Sequence, residues 1–525
     1  MAGSQGSGCA QYQHRGCSAA DAVGWCTRAP HSGQVAGTLH RGSSSRINAS
    51  ACTFLSNIPQ YGARGPAAPP LPWPAVPFFR GRVPPGRCSV AIVALATRFT
   101  EPTLAVIGAG PKGIAIAAKA RALATAGLAA PRVVLVDPGP VAGNWSGQQG
   151  YTSGLLPLGT PPEKDVGFPY AGSWGPASSA VTAAMGEYSW QRHLIARGAY
   201  ADWVDRGRLR PTHRQWSAYL REVAGKAEAE IVSARVTGLE ADGERWRLAI
   251  EPGEALRADG IVVTGAGPPV RVAGQPHRHP LVLDGRSYWL AAQSFSKQMA
   301  RNVCVIGSGE TAASVVISLL GKSHKRSVID VVTSRGVLYS RGESYEENRL
   351  YSDPGEWPAL AESHRREFLE RTDRGVFSLQ AEAVLNASRG FRVLAGRAAA
   401  IEAGERQVVV TVEYGDERER VAYDLVVVAI GFEARWFENL LGDQARHRLG
   451  AALAGARLDR SIGPDLSVAG LSPLLHLPVV AGLAQGPGFP NLSCLGLLSD
   501  RILRRYVDAA GGPAGEGRER VRRSR

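Results

Sequence analysis

Residues 103–137 read TLAVIGAGPKGIAIAAKARALATAGLAAPRVVLVD, and this stretch decides the fold. Leu104–Ile107 is a short apolar run of the kind that forms a buried strand, Lys112–Ala126 reads as a helix, and Val133–Val136 is a second strand. The first strand runs directly into Gly108-Ala109-Gly110-Pro111-Lys112-Gly113, a GxGxxG turn. Gly108 permits the tight turn, Gly110 lets the backbone approach a pyrophosphate, and Gly113 lets the helix pack closely on the strand. The helix then offers free N–H groups and the positive end of its dipole to the phosphates. Asp137 ends the second strand, 24 residues after Gly113, where a carboxylate accepts hydrogen bonds from a ribose diol.

A second unit of the same kind runs through Val303–Ile306, Glu310–Leu320 and Val328–Val332. Its turn is Gly307-Ser308-Gly309-Glu310-Thr311-Ala312, with Ala in the third glycine position. Its second strand leads into Thr333-Ser334-Arg335, with no acid to meet a ribose diol. A hydroxyl and a guanidinium suit a 2′-phosphate, which favours NADPH over NADH. Gly307, Gly309, Thr311, Ser334 and Arg335 are therefore the expected NADPH-binding residues. Apolar strands at Ile261–Thr264 and Leu425–Ile430 each end in a glycine-containing turn. The expected fold is α/β, with two Rossmann-like dinucleotide-binding domains, the NADPH domain inserted in the FAD domain. The boundaries read 100–296 and 421–508 for the FAD domain and 297–420 for the NADPH domain. Two such sites in one chain imply an electron path from NADPH to FAD. No redox-active disulfide is encoded, so the reduced flavin passes its electrons to oxygen or to an external acceptor.

The formal charge of +14 sits in the tails of the 525-residue chain. Residues 1–100 hold nine Arg and one acid, and residues 501–525 hold eight Arg and three acids, so the body carries only +1. A nucleic-acid-binding body is thereby disfavoured. No apolar run approaches the ~18 residues of a membrane span. Five of the seven cysteines lie before residue 100, only Cys304 and Cys494 lie beyond, and no CxxC spacing occurs. No metal site is expected, and a reduced, cytoplasmic body is. Residues 1–99, rich in Gly, Ser, Pro and Arg, read as a disordered extension or a mis-called start, and residues 509–525 as a basic disordered tail.

Several stretches together resemble the flavin-dependent N-hydroxylating monooxygenases of siderophore biosynthesis, and among them the mycobactin-type lysine N-monooxygenases. They are VIGAGPKG (106–113), GTPPEKDVGFPY (159–170), YSW (188–190), PTHRQW (211–216), GSGETAAS (307–314), RTDRGVFS (371–378) and QGPGFPNLSCLGLLSDR (485–501). The resemblance covers about residues 102–505, and the last motif is far more specific than a glycine fingerprint.

What the resemblance implies is carried residue by residue. Lys164 faces the substrate carboxylate, and Asn348 and Ser493 bind substrate. Asp373 stands where ornithine-hydroxylating relatives carry Asn, which leaves its role open. Trp145 matches a flavin-side Gly-x-Trp segment, and Gln485 and Gly486 lie in a turn before a final helix aimed at the flavin. Read from the residues alone, Asn491 or Ser493 equally suits a helix N-cap, and Trp216 and Tyr219 suit packing. The implied chemistry is a C4a-hydroperoxyflavin delivering oxygen to the free ε-amine of lysine or acyl-lysine, with no catalytic acid or base assigned. A lysine ammonium titrates near 10.4 in water, so the site must favour the neutral amine. Other readings stay open at this point: ornithine hydroxylation, a Baeyer–Villiger or S-oxygenating monooxygenase, a flavin reductase, and a polyanion-binding protein acting through its arginine tails. Oligomeric state is not legible.

Overall fold

A computed structural model of the chain describes residues 101–511, apart from 149, 296–301, 323–326 and 454–456. The readings made for residues 1–99 and for most of 509–525 lie outside these residues; 509–511, read as tail, instead continue the last helix, which runs to Gly511. In chain order the elements used below are β1 (Thr103–Ile107), α1 (Pro111–Thr125), β2 (Arg132–Val136), α2 (His213–Lys226), β3 (Glu230–Val232), β4 (Gly260–Val263) and β5 (Val282–Asp284). They continue with β6 (Asn302–Ile306), α3 (Glu310–Leu320), β7 (Val328–Thr333), α4 (Tyr345–Ser352), α5 (Glu362–Thr372), β8 (Phe391–Ala395), β9 (Leu425–Val428), β10 (Leu474–His476) and α6 (Leu495–Gly511).

These strands form two five-stranded sheets, ordered β10-β4-β1-β2-β3 and β8-β7-β6-β9-β5. All pairings in both are parallel. Parallel strands covered on both faces read as continuous apolar runs, and β1, β4 and β9 are buried at every position. The sheets share one plan. β1-α1-β2, then β3, a three-stranded antiparallel meander and β4, match β6-α3-β7, then β8, a second meander and β9. The second sheet lies wholly between β4 and β10 in the chain, which is the expected insertion of one nucleotide-binding fold in another. It draws in β5 and β9, both outside residues 297–420. β5 is only three residues long, and an apolar run such as Leu425–Val428 carries no mark of the sheet it joins. Among the described residues no helix is long and apolar enough to cross a membrane.

Helix α1 packs against α6 along its length. It has little amphipathic character, because twelve of its residues are buried, Lys112 and Lys119 among them. The Lys119 ammonium meets Asp500 Oδ1 of α6 at 2.7 Å, with both side chains nearly inaccessible. The same oxygen accepts from Trp174 Nε1 at 2.9 Å. In the first turn of α1, Lys112 Nζ donates to the Pro490 carbonyl, a few residues before α6. Removing one partner of such a buried pair strands a charge. Asp500→Ala is expected to destabilise by about 3–5 kcal/mol, seen as a lowered melting temperature, and the Lys119→Met/Asp500→Asn double variant to recover most of the loss. A double variant as unstable as the single one would show that the pair's charge is not what matters.

Candidate functional site

Both glycine turns leave a helix start open. α1 begins at Gly110 and α3 at Gly309, each extended and without a side-chain cap. Gly108 has φ +114°, and a Cβ there would lie 2.6 Å from Thr264 Oγ1. A Cβ on Gly113 would lie 2.3 Å from the Gly108 carbonyl, so helix and strand touch there. Nothing lies within 4 Å of a Cβ on Gly110, so a phosphate finds free N–H groups and open space. Gly307 repeats Gly108, with φ +134° and the Ala429 carbonyl 2.3 Å from a would-be Cβ. Both starts fit a pyrophosphate.

Asp137 stands beside the first turn, its two oxygens accepting from Ala109 N (2.9 Å) and Gly139 N (2.8 Å). Trp145 follows a left-handed Ala142 whose N–H is held by the Ala109 carbonyl. Its ring meets the edge of His213 at 5.0 Å. His213 is bonded to Thr152 Oγ1 at 2.7 Å, and burial pushes its pKa down to about 4, so the ring is neutral. Gln485 and Gly486 are held in the fold: the Gln485 amide bridges the Ile462 carbonyl and Arg501, and Gly486 packs on Pro354.

A cavity of about 1200 Å³ opens over the second turn. Its lining includes Gly307, Gly309 and Thr311, then Ser334 and Arg335, and on another side Leu369, Asp373, Leu483 and Pro490. The RTDRGVFS stretch covers this turn. Glu310 accepts from Ser378 N and Oγ at 2.6 and 3.0 Å, and Gly375 packs against Gly309 and Ser308. Arg335 donates to the Glu370 and Arg374 carbonyls and lies over the Tyr339 ring. The guanidinium is thus drawn towards the cover. Arg397, absent from the sequence reading, lines the same cavity and a smaller one beside Ser334. Its signal was weak, since it is one exposed arginine at the start of a meander strand.

A second cavity, of about 490 Å³, is lined by Lys164, Asn348 and Ser493, three of the four residues expected to bind substrate. Asp373 lines the larger cavity instead. Lys164 is half-buried and, among the described residues, forms no ion pair; its Nζ lies 5.7 Å over the Phe168 ring. Burial holds its pKa below the ordinary lysine range, with Cys494 and Glu343 opposing the shift. Sequence reading did not find Arg210 and Arg341, which line the same cavity. Both donate to the Gly159 carbonyl and flank Glu343, at 3.8 and 3.2 Å respectively. Asn348 Nδ2 donates to the Glu343 and Ser344 carbonyls at 2.8 and 3.2 Å, which leaves Oδ1 as its acceptor. Ser493 N donates to Asn491 Oδ1 at 2.9 Å.

The EKDVGFPY and YSW stretches meet at Asp165, which accepts from Gly167 N (3.0 Å), Tyr170 OH (2.8 Å) and Trp190 N (2.8 Å). Burial pushes its carboxyl up to about 6 against these bonds. Trp216 and Tyr219 are fully buried and stack close by. Among the described residues no three His, Cys, Asp or Glu side chains gather as a metal site.

Residues 180–434 match the family model described as L-lysine 6-monooxygenase/L-ornithine 5-monooxygenase. The L-lysine N6-monooxygenase MbtG of Mycobacterium sp. (strain MCS) is 43% identical over 410 residues, 76% of this chain and 94% of the relative. MbtG of Mycobacterium tuberculosis H37Rv is 41% identical over 414 residues, 77% of this chain and 94% of its own. The solved lysine monooxygenase NbtG from Nocardia farcinica is 39% identical, with a TM-score of 0.67 over 77% of this chain and all of that one. Ornithine N-hydroxylase KtzI of Kutzneria sp. 744 shares the fold at 16% identity, with a TM-score of 0.64 over 78% of this chain and all of its own. With two uncapped glycine turns and that similarity over nearly the full length of its relatives, the chain belongs to the L-lysine 6-monooxygenase/L-ornithine 5-monooxygenase family.

Proposed function

We propose that the chain is an FAD- and NADPH-dependent monooxygenase that N-hydroxylates the ε-amine of lysine, free or acylated, for siderophore assembly in a reducing, cytoplasmic setting. One observation carries the reading: Lys164, with no ion-pair partner among the described residues, lines a cavity whose Gly159 lies against Glu310 of the second glycine turn. When bound, the flavin supplies the activation of oxygen, using hydride from NADPH.

The chain's residues then bind and orient. The open start of α1, with Asp137 near the ribose, takes FAD, and Trp145 packs beside it. Gly307, Gly309 and Thr311 take the NADPH pyrophosphate, and Ser334, Arg335 and Arg397 take its 2′-phosphate. Lys164 holds the substrate carboxylate as a point charge. Asn348 Oδ1 accepts from the substrate's α-ammonium, and the Ser493 hydroxyl lies beside it. The reacting nitrogen must be a neutral amine, and burial in this cavity favours that form. The family's division into an FAD domain and an inserted NADPH domain is read here from the two sheets.

Anaerobic reduction by NADPH, followed by air and a hydroxylamine assay against lysine, ornithine and Nε-acyl-lysine, tests the whole reading. Hydroxylamine from lysine or acyl-lysine is expected. NADPH consumption with none from any of the three would overturn it. Hexanoate, which carries the carboxylate and neither amine, isolates Lys164. Its binding needs the Lys164 ammonium, so it is expected to persist at neutral pH and weaken as pH rises through a pKa below the ordinary lysine value. Lys164→Met is expected to abolish both the binding and that pH limb. Arg397→Ala is expected to raise KM for NADPH about 10- to 100-fold, as for loss of one charged hydrogen bond, and to leave KM for NADH unchanged. Equal effects on both nucleotides would place Arg397 elsewhere than at the 2′-phosphate.

A further inference from the structure

A third cavity, of about 900 Å³, shares no lining residue with the nucleotide and amino-acid cavities. Arg501, Arg504 and Arg505 of α6 line it, beside Leu471, Leu474 and Leu497. At i, i+3 and i+4 the three heads leave one side of the helix, and like charges so spaced repel. The negative end of the helix dipole does not account for them, because α6 runs on to Gly511, more than a turn past Arg505. Among the described residues none of the three forms an ion pair, whereas Arg132, Arg245, Arg392 and Arg460 do. Arg501 donates to Gln485 Oε1 at 3.2 Å and lies over the Phe489 ring. Arg504 donates to the Ser173 carbonyl at 2.6 Å. The head of Arg505 has no hydrogen-bond partner among the described residues. A guanidinium carries five donors, so most of the cluster's capacity stays open.

Two acids also line the cavity. Asp500 is taken by Lys119. Asp465 turns Oδ1 to Ser467, accepting from N and Oγ at 3.1 and 2.7 Å, and has no ion-pair partner among the described residues. Three guanidiniums against one free carboxylate leave two positive charges. The walls are tied together. His476 donates from Nδ1 to the Asp465 carbonyl and accepts at Nε2 from Tyr506 OH of α6, both at 2.8 Å. Gly172 lies against the Asp500 carboxylate, where a Cβ would not fit.

The chain's own remaining segments do not complement this charge. Residues 1–100 hold nine Arg and one acid, and residues 512–525 hold five Arg and two Glu. A concave cleft of this size, with apolar side chains and a few convergent polar groups, suits a small molecule. We propose that the cavity binds a phosphate monoester with an apolar body, the phosphate against Arg504 and Arg505 and the body against Leu471, Leu474 and Leu497. A monoester loses its second proton near pH 6 and so carries close to two negative charges at neutral pH, which matches the excess. A carboxylate would meet only half of it. The planar fork of arginine also fits phosphate oxygens in pairs. The site is independent of the functional reading of the other two cavities.

The test uses the full-length, FAD-loaded enzyme with saturating NADP⁺, so that the glycine turns are already occupied. Calorimetry compares hexyl phosphate, inorganic phosphate and hexanol. Hexyl phosphate is expected to bind about tenfold or more tighter than inorganic phosphate, through burial of part of its chain, and hexanol not to bind. Arg504→Gln/Arg505→Gln is expected to weaken hexyl phosphate about 100-fold or more, as for two charged hydrogen bonds lost. Both heads are exposed, so its melting temperature is expected to stay that of the wild type. Arg505→Glu, at a head with no contact to lose, is the second variant and is expected to weaken binding about tenfold or more. Lys164→Met is expected to bind hexyl phosphate as the wild type does. Dihexanoyl phosphatidic acid separates two sources of the same chemistry: tighter binding than hexyl phosphate assigns the site to a lipid headgroup, and equal or weaker binding to a soluble ester. A wild type that does not bind hexyl phosphate overturns the proposal, as does unchanged binding in the arginine variants. A loss in Lys164→Met as large as theirs would place the ester in the smaller cavity and overturn it too.

Discussion

The seam between α1 and α6 ties the first glycine turn to the Pro490–Ser493 turn. α1 begins at the first glycine turn, and α6 begins just after the Pro490–Ser493 turn, whose Ser493 lines the smaller cavity. Apolar packing alone would hold the two helices together while allowing slippage along their axes. Two buried lysines on α1 remove that freedom. Lys119 meets Asp500 well within α6, and Lys112 meets the Pro490 carbonyl at its start. Burial pushes Lys112 down to about 8 against the attraction of Cys494 and Asp373. A buried ammonium is tolerated only where acceptors are fixed around it, so the register of the seam is set by direction-dependent contacts.

The helix starts differ in whether a side chain caps them. Ser189, Thr212, Ser344 and Ser378 each accept a backbone N–H at the start of their own helices, and Thr212 and Ser344 complete capping boxes with Gln215 and Glu347. The two helices that follow the glycine turns have no such cap. Their first N–H groups stay unpaired by side chains because an anion is to take that place. Glu310, in the first turn of α3, would oppose an anion there. Its carboxylate is instead turned to Ser378 in the covering stretch, which both ties down the cover and draws the negative charge aside.

Much of this was legible in the sequence where a local pattern has a local cause. The glycine turns, their flanking strands and helices and the strand-end Asp137 beside the first turn follow from steric and dipolar needs within about thirty residues. The repeated sheet plan was not visible, because the meanders and β3 and β8 carry only weak alternation and pair with residues far along the chain. The edge strand β5 escaped for the same reason. Lys164, Asn348 and Ser493, which line the smaller cavity, were singled out only through the resemblance, since each alone is an ordinary polar residue. Arg210, Arg341 and Arg397 were not found, because in a chain so rich in arginine only their convergence on a cavity distinguishes them.

That convergence also explains why Lys164, and neither nearby arginine, is the cation of the smaller cavity without an acid in contact among the described residues. Arg210 and Arg341 share one acid, Glu343, and one carbonyl, that of Gly159. Their planar, multi-donor heads suit such bridging, and together they fix the loop that carries the EKD stretch against the start of α4. The triad they form with Glu343 keeps one net positive charge, so the cavity attracts an anion before Lys164 is counted. Lys164 then adds a single ammonium with no acid in contact among the described residues. Its lowered pKa comes first from burial, which the attraction of Cys494 and Glu343 does not offset and which the nearby Arg341 and Arg210 reinforce. An incoming carboxylate would restore it, so the cavity is built to gain more from an anionic ligand than from water.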